Sequence, residues 1–173
     1  MNFEKLAEER YSSRRYDSEK QIETDKLKRI LTTAAKAPSA CNGQPYHITV
    51  VSGDMAKKVA RVTKDARINS FVEEAPTLFI LSEKPYSKMA GIGAKIKKND
   101  YRSMDIGILA SYITLKATEE GLGSCIIGWF DSDKIRDICD IDGDVRLIIS
   151  LGYALDAPTE KRRKSLSELV TYK

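Results

Sequence analysis

Two groups of residues stand out as able to do chemistry. The first is Ala37-Pro38-Ser39-Ala40-Cys41-Asn42-Gly43-Gln44-Pro45, small and polar residues fenced by two prolines. The prolines fix the backbone and remove two donors, while Ser39, Asn42 and Gln44 present hydroxyl and amide groups. Such a segment suits gripping a flat polar ligand by its edge, although a helix-to-strand loop rich in turn residues would read the same way. The second group is Arg10, Ser12 and Arg14. If the segment is extended, its period of two places all three on one side. Two guanidiniums and a hydroxyl then suit a phosphate, or a ring oxygen that gains negative charge. With Glu9 and Arg15 flanking it, a solvated charged turn is the plain alternative.

Two further segments are ambiguous in the same way. Lys161-Arg162-Arg163-Lys164 is either a solvated tail or polyanion patch, or a pair of fixed cations for one phosphate. Gly121 to Trp129 brings Gly128 to the end of an apolar run, where backbone can approach a ligand closely and an N–H could donate to a ring nitrogen. A sterically required turn is the other reading.

The elements that must position these residues follow from periodicity. A first helix is expected from Asn2 to Arg10, with Phe3, Leu6 and Ala7 on one face. A second, capped by Thr24 or Asp25, carries Leu27, Ile30, Leu31, Ala34 and Ala35 as an apolar stripe, and Pro38 ends it by disfavouring helical dihedrals at Ala37. Strands are expected at His47–Val51, Thr77–Leu81, Ser124–Trp129 and Val145–Tyr153. Met55–Ala66 reads as a surface helix and Asp131 or Ser132 caps a short one through Cys139. The segment from Lys84 to Asp100 reads as a mobile cover or loop with a short helix. Tyr101–Glu120 is the strongest helix, apolar almost all round and expected to be buried on most sides, with Gly121 as its left-handed terminus. This order of elements predicts an α+β domain with helices around a sheet.

Composition narrows the function. At 173 residues the chain suits one domain, and 42% hydrophobic with 31% charged residues is a globular balance. The net charge of +4 permits anionic ligands but falls short of a nucleic-acid footprint, and no aromatic residues interleave with the basic run. No apolar run approaches membrane-spanning length and the N-terminus has no apolar signal region, so a cytoplasmic protein is expected. Cys41, Cys125 and Cys139 form no C-x-x-C pair, so neither a disulfide framework nor a zinc site is expected. His47 is the only histidine, and no metal site is expected around it. Neither Gly91-x-Gly93 nor Gly121-x-Gly123 completes a dinucleotide fingerprint, and there is no P-loop or G-x-S-x-G motif.

Taken in order, these segments resemble the nitroreductase family of FMN-dependent oxidoreductases. The resemblance rests on Arg10-Tyr11-Ser12-Ser13-Arg14, the Ala37–Pro45 segment, Glu74-Ala75-Pro76 and Met104-Asp105-Ile106-Gly107. Glu120 through Gly128, Leu151-Gly152-Tyr153 and Lys161 to Leu166 complete it. It implies a single α+β domain over residues 1–173 with a central, mainly antiparallel sheet surrounded by helices. It also implies an intertwined homodimer whose C-terminal arm, about 155–173, lies on the partner, with two FMN molecules at the interface.

On this resemblance Arg10, Ser12 and Arg14 hold the flavin phosphate and pyrimidine edge. Pro38, Ser39, Cys41 and Asn42 reach the partner's flavin with Gln44 nearby, and Asn69 contacts the polar ring edge. The backbone of Ile127 and Gly128 faces flavin N5, and Lys161, Arg163 and Lys164 bind the phosphate. The implied reaction passes a hydride from NADH or NADPH through N5 to a small-molecule acceptor such as a nitroaromatic or quinone, in a ping-pong sequence that needs no catalytic side chain. An FMN-binding protein that stores or senses flavin without turnover would share every one of these residues. Ile127 departs from the acidic residue that many relatives carry there, which bears on the donor and acceptor preferences.

Overall fold

The computed structural model describes residues 2–64 and 68–173, so the end of the predicted Met55–Ala66 helix lies partly outside the described residues. The elements run α1 (Phe3–Glu9), α2 (Thr24–Ala34), β1 (Tyr46–Ser52), α3 (Gly53–Thr63), β2 (Thr77–Glu83) and α4 (Lys88–Lys97). They continue with α5 (Tyr101–Glu119), β3 (Gly123–Ile127), α6 (Ser132–Cys139), β4 (Val145–Gly152) and α7 (Leu166–Leu169). Short 3-10 turns occupy Ala40–Asn42 and Ser70–Glu74.

The four strands form one sheet in the order β1-β2-β4-β3, and every neighbouring pair is antiparallel. The N-terminal segment adds an isolated parallel bridge, Ser12 to Ser124, beside β3. Helices cover both faces of the sheet, which makes the fold α+β. On one face Phe79, Leu81, Ile149 and Leu151 pack with Ile30 and Ala34 of α2 and with Ile106, Leu109, Ile113 and Ala117 of α5. On the other, Leu78, Ile80, Cys125, Ile127 and Ile148 pack with Ala56, Val59 and Ala60 of α3 and Ile135 of α6. Central β2 is buried at every residue, which explains its unbroken apolar run. Fully burying one of its large side chains contributes about 1.5–3 kcal/mol.

Several expectations need correction. Glu23, not Thr24 or Asp25, occupies the N-cap of α2, and it makes no side-chain capping bond. Ala35 falls past the end of α2 and is exposed, so the buried stripe is Ile30 and Ala34 with Leu27 and Leu31 half-covered. The Lys84–Asp100 segment holds a ten-residue helix, α4, rather than a loop with a short one. Helix α5 is covered on most sides but keeps one open face within the protomer. Met104 is 54% exposed and Ile108 37%, and Gly107 and Ser111 share that open face. The physical reason is that the sheet, α2 and α1 cover the other sides of the helix, and no described element covers this one.

The junction of α5 with β3 is tied electrostatically. The Glu120 side chain, 10% exposed, receives Arg29 Nη2 at 2.7 Å and Lys116 Nζ at 2.7 Å. The Arg29 hydrogen bond, then that of Lys116, pulls its carboxyl down to about 2. A carboxylate depressed in the folded state stabilises the fold above its unfolded value, and that contribution is lost as pH falls toward the folded value. Glu120→Gln is therefore expected to flatten the fall of Tm between about pH 4.5 and pH 2. Acid melts of the two proteins with the same slope would refute this origin.

Candidate functional site

The Arg10–Arg14 segment is extended and is held by a residue that sequence reasoning missed. Asp156 Oδ2 accepts Arg14 N–H at 2.8 Å, and its Oδ1 accepts Ser13 Oγ at 2.5 Å and Tyr11 OH at 3.3 Å. Tyr11 OH also donates to the Asp156 carbonyl at 2.6 Å. Burial raises the Asp156 carboxyl, but the hydrogen bonds from Ser13, Arg14 and Tyr11 together outweigh it and the net shift is downward. Ser13 N–H donates to the Ser124 carbonyl at 3.0 Å, which clamps the segment along β3. Gly123 permits that approach: a Cβ there would lie 2.8 Å from Ala154 Cβ and 2.9 Å from Ser13 Cβ. The signal available in the sequence was the acidic residue just after the last strand, which no local pattern marks.

With Ser13 turned inward, Arg10, Ser12 and Arg14 face the other way. They line a cavity of about 200 Å³ together with Lys161 and Arg163; Tyr11, Thr159, Glu160 and Arg162 complete its wall. The two basic clusters, some 150 positions apart in sequence, thus share one concavity. Lys161 Nζ donates to the Ala7 carbonyl at 2.7 Å and to that of Glu8, so it caps the end of α1 as well. Burial, then the charges of Arg10 and Arg163, lowers its ammonium. Lys164 is exposed and lies outside the cavity lining. Cys125, 3% exposed, sits behind the wall. Burial pushes its thiol up, opposed by Arg14, Ser12 and Arg10.

The other end of β3 holds a second group. Gly128 and Trp129 follow the strand, and Asn69 Nδ2 donates to the Trp129 carbonyl at 2.8 Å. The guanidinium of Arg14 lies 5.9 Å over the Phe71 ring, close to Asn69 in sequence. Ile127 is buried and Gly128 exposed. A Cβ on Gly128 would meet nothing nearer than Leu147 Cδ2 at 3.9 Å, so nothing described in this protomer requires glycine there. Four residues of extended strand separate this end from Ser124, a span of about 13 Å.

The 38–45 segment is not brought to either group. It leads into β1, at the opposite edge of the sheet from β3, about 14 Å away across three strand spacings. Cys41, Asn42 and Gln44 are exposed and adopt positive φ of 51°, 49° and 45°. Ser39 Oγ accepts Gln44 N–H at 3.0 Å, and Gln44 Nε2 donates to Asn42 Oδ1 at 3.3 Å. His47 is exposed on β1. Among the described residues no group of His, Cys, Asp and Glu could hold a metal ion.

Comparison with known proteins identifies the family. The Nitroreductase family model matches residues 7–66 and 54–153. The chain belongs to the nitroreductase family. It is 24% identical over 200 residues to the oxygen-insensitive NADPH nitroreductase of Helicobacter pylori (strain J99 / ATCC 700824), covering 96% of this chain and 94% of that one. It is 26% identical over 193 residues to the NADH dehydrogenase of Thermus thermophilus, covering 95% and 92%. In structure it is similar to the nitroreductase family protein of Streptococcus pneumoniae TIGR4, with a TM-score of 0.86, 21% identity and coverage of 99% and 100%. An FMN complex from Exiguobacterium sibiricum 255-15, described as a nitroreductase, superposes with a TM-score of 0.83 at 20% identity, covering 100% and 98%. The nitroreductase fold is therefore the fold of this chain.

Replacing Asp156 with alanine leaves the fully buried Ser13 without its carboxylate partner and frees the Arg14 backbone. A loss of about 1–3 kcal/mol in a denaturant melt is expected. A variant as stable as wild type would show that the segment is held by the β3 contacts alone.

Proposed function

We propose that this nitroreductase-family chain is an FMN-dependent oxidoreductase that takes reducing equivalents from NADH or NADPH and delivers them to an oxidised acceptor such as a nitroaromatic or quinone. The observation that carries the reading is the sharing of one concavity by Arg10, Ser12, Arg14, Lys161 and Arg163 at one end of β3. Four cations and a hydroxyl are the donor set for a phosphate, and Gly128 with the Asn69–Trp129 contact lies one strand-length away. A phosphate on a sugar-alcohol chain that ends in a flat polar ring fits that spacing.

In this reading Arg10, Lys161 and Arg163 hold the phosphate, with Lys164 at the margin. Arg14 and Ser12 serve the chain and the pyrimidine edge, where a fixed positive charge favours the reduced ring's developing negative charge. Asn69 serves the polar edge of the ring, and the backbone of Ile127 and Gly128 is left open toward it. When bound, the flavin would supply the two-electron redox chemistry between a reduced nicotinamide and the acceptor. A cytoplasmic location belongs to the same reading.

A homodimer is part of the proposal. Within one protomer Pro38, Ser39, Cys41, Asn42 and Gln44 sit at the wrong edge of the sheet for this site, whereas a second copy can present them to it. The open face of α5 with Met104 and Ile108, and exposed Ile126 beside it on β3, offers apolar surface for that contact. The chain from about residue 155 onward is read as an arm. Leu166, Leu169 and Tyr172 are 67%, 64% and 85% exposed, and an apolar groove lined by Phe3, Leu6, Tyr112 and Leu115 suits such a segment from the partner.

Mixing the FMN-loaded protein anaerobically with NADH or NADPH is expected to bleach the visible flavin band with at least one donor. Flavin that stays oxidised with both would sink the reductase reading and leave a storage or sensing protein. In sizing experiments Met104→Asp with Ile108→Asp is expected to yield monomers that have lost most of their flavin. A monomer with full flavin occupancy would contradict the shared site.

A further inference from the structure

Outside the proposed flavin site, several segments meet around one buried carboxylate. Glu83, the last residue of β2, is 8% exposed. Its Oε1 accepts Arg146 Nη1 at 2.7 Å and its Oε2 forms an ion pair with Arg102 Nη1 at 2.8 Å. Arg146 Nη2 also donates to Ser103 Oγ at 2.7 Å and lies 3.8 Å from Asp100 Oδ2. Asp100 caps α5 by accepting Ser103 N–H at 3.2 Å. The Arg102 guanidinium lies 4.6 Å over the Tyr86 ring, and Arg102 N–H donates to Tyr86 OH at 3.0 Å. Two carboxylates and two guanidiniums thus lock the ends of β2, β4 and α5 and the base of the excursion that carries α4.

The 39–45 loop hangs from this junction at two points. Lys84, the next residue after Glu83, donates its N–H to the Pro45 carbonyl at 2.9 Å. Asp105, one turn beyond Arg102 on α5 and 3% exposed, accepts Ala40 N–H at 3.0 Å. Between the anchors lie the three left-handed residues Cys41, Asn42 and Gln44. Non-glycine residues hold that conformation only where the surroundings over-determine it. The loop's own bonds link Gln44 back to Ser39 and Asn42 but fasten it to nothing outside. The external constraint comes from the two anchors and from packing against α4, where Ser87 lies close to Gly43.

We propose that Glu83 is a positioning residue for flavin binding. Through Arg102 it seats the first turn of α5, and so Asp105 under Ala40; through the end of β2 it seats Lys84 under Pro45. The inference rests on the reading of the 38–45 loop as a flavin-gripping element, and it adds a residue that touches neither flavin nor substrate. Removing the Glu83 charge leaves Arg102 and Arg146, which are partly exposed, with only Asp100 near Arg146 to balance them. Glu83 itself is buried, so its two ion pairs are screened less than surface pairs and removing the shared carboxylate is costly.

The test compares Glu83→Gln, which keeps side-chain volume, with Ile135→Val, a core variant on α6 that loosens the fold away from the loop. Two quantities are read well below Tm: hydrogen exchange at residues 40–45 in the flavin-free protein, and the Kd for added FMN. In Glu83→Gln, exchange at 40–45 and the Kd are each expected to rise about tenfold or more, against little change in Ile135→Val. Values that match those of Ile135→Val overturn the proposal, whatever the loss of Tm. If Glu83→Gln does not fold, Arg146→Lys keeps the charge but loses the fork. It is expected to move both quantities in the same direction by less, and wild-type values in it overturn the proposal. Wild-type protein that leaves added FMN free removes the reading of the site and this inference with it. Wild-type uptake with unchanged uptake by Glu83→Gln removes the inference alone.

Discussion

The strand order β1-β2-β4-β3 is the constraint on which the rest of the structure depends. Two edge strands of one sheet cannot approach each other, and each edge carries one of the polar segments. The 38–45 loop enters β1, while the 10–14 segment lies along β3. Central β2 and β4 have no room for chemistry, because both of their faces are packed under helices. In the proposed reading, a ligand that uses both segments is met by two copies of the chain.

The second organising feature is how positive charge is gathered without unfolding what holds it. Arg10, Arg14, Lys161 and Arg163 repel one another, and the fold answers by fixing their backbones with neutral and acidic groups set behind them. Asp156 grips the strand from its rear side through Ser13, Tyr11 and the Arg14 N–H. Lys161 is steadied by the carbonyls at the end of α1, whose partial negative charge suits an ammonium. The Glu83 junction applies the same principle at the far edge, where two arginines are held by carboxylates and the polar loop above carries no formal charge.

Much of this was legible in the amino-acid order. The apolar run at β2, the stripe of Ile30 and Ala34 and the proline stop at Pro38 are local signals, each set by sterics or by a helix or strand period. The period-two placement of Arg10, Ser12 and Arg14 was also readable, because an extended chain sorts side chains by parity. The N-cap of α2, the length of α4 and the open face of α5 were not. A cap depends on where the backbone first turns. The helix in the 84–100 segment has a weak apolar pattern, and the exposure of Met104 and Ile108 depends on which neighbours a helix meets.

What the sequence by itself determined is therefore the set of chemical groups and the local elements that carry them: cations in two clusters, a polar loop between prolines, and a glycine after a buried strand. Short-range sterics and hydrophobic periodicity suffice for that. Only the tertiary structure decided which groups share a space. It brought residues 10–14 together with 161 and 163, set Asp156 behind them, and kept the 38–45 loop an entire sheet's width away. Those outcomes follow from strand pairing between distant segments, which no local pattern encodes.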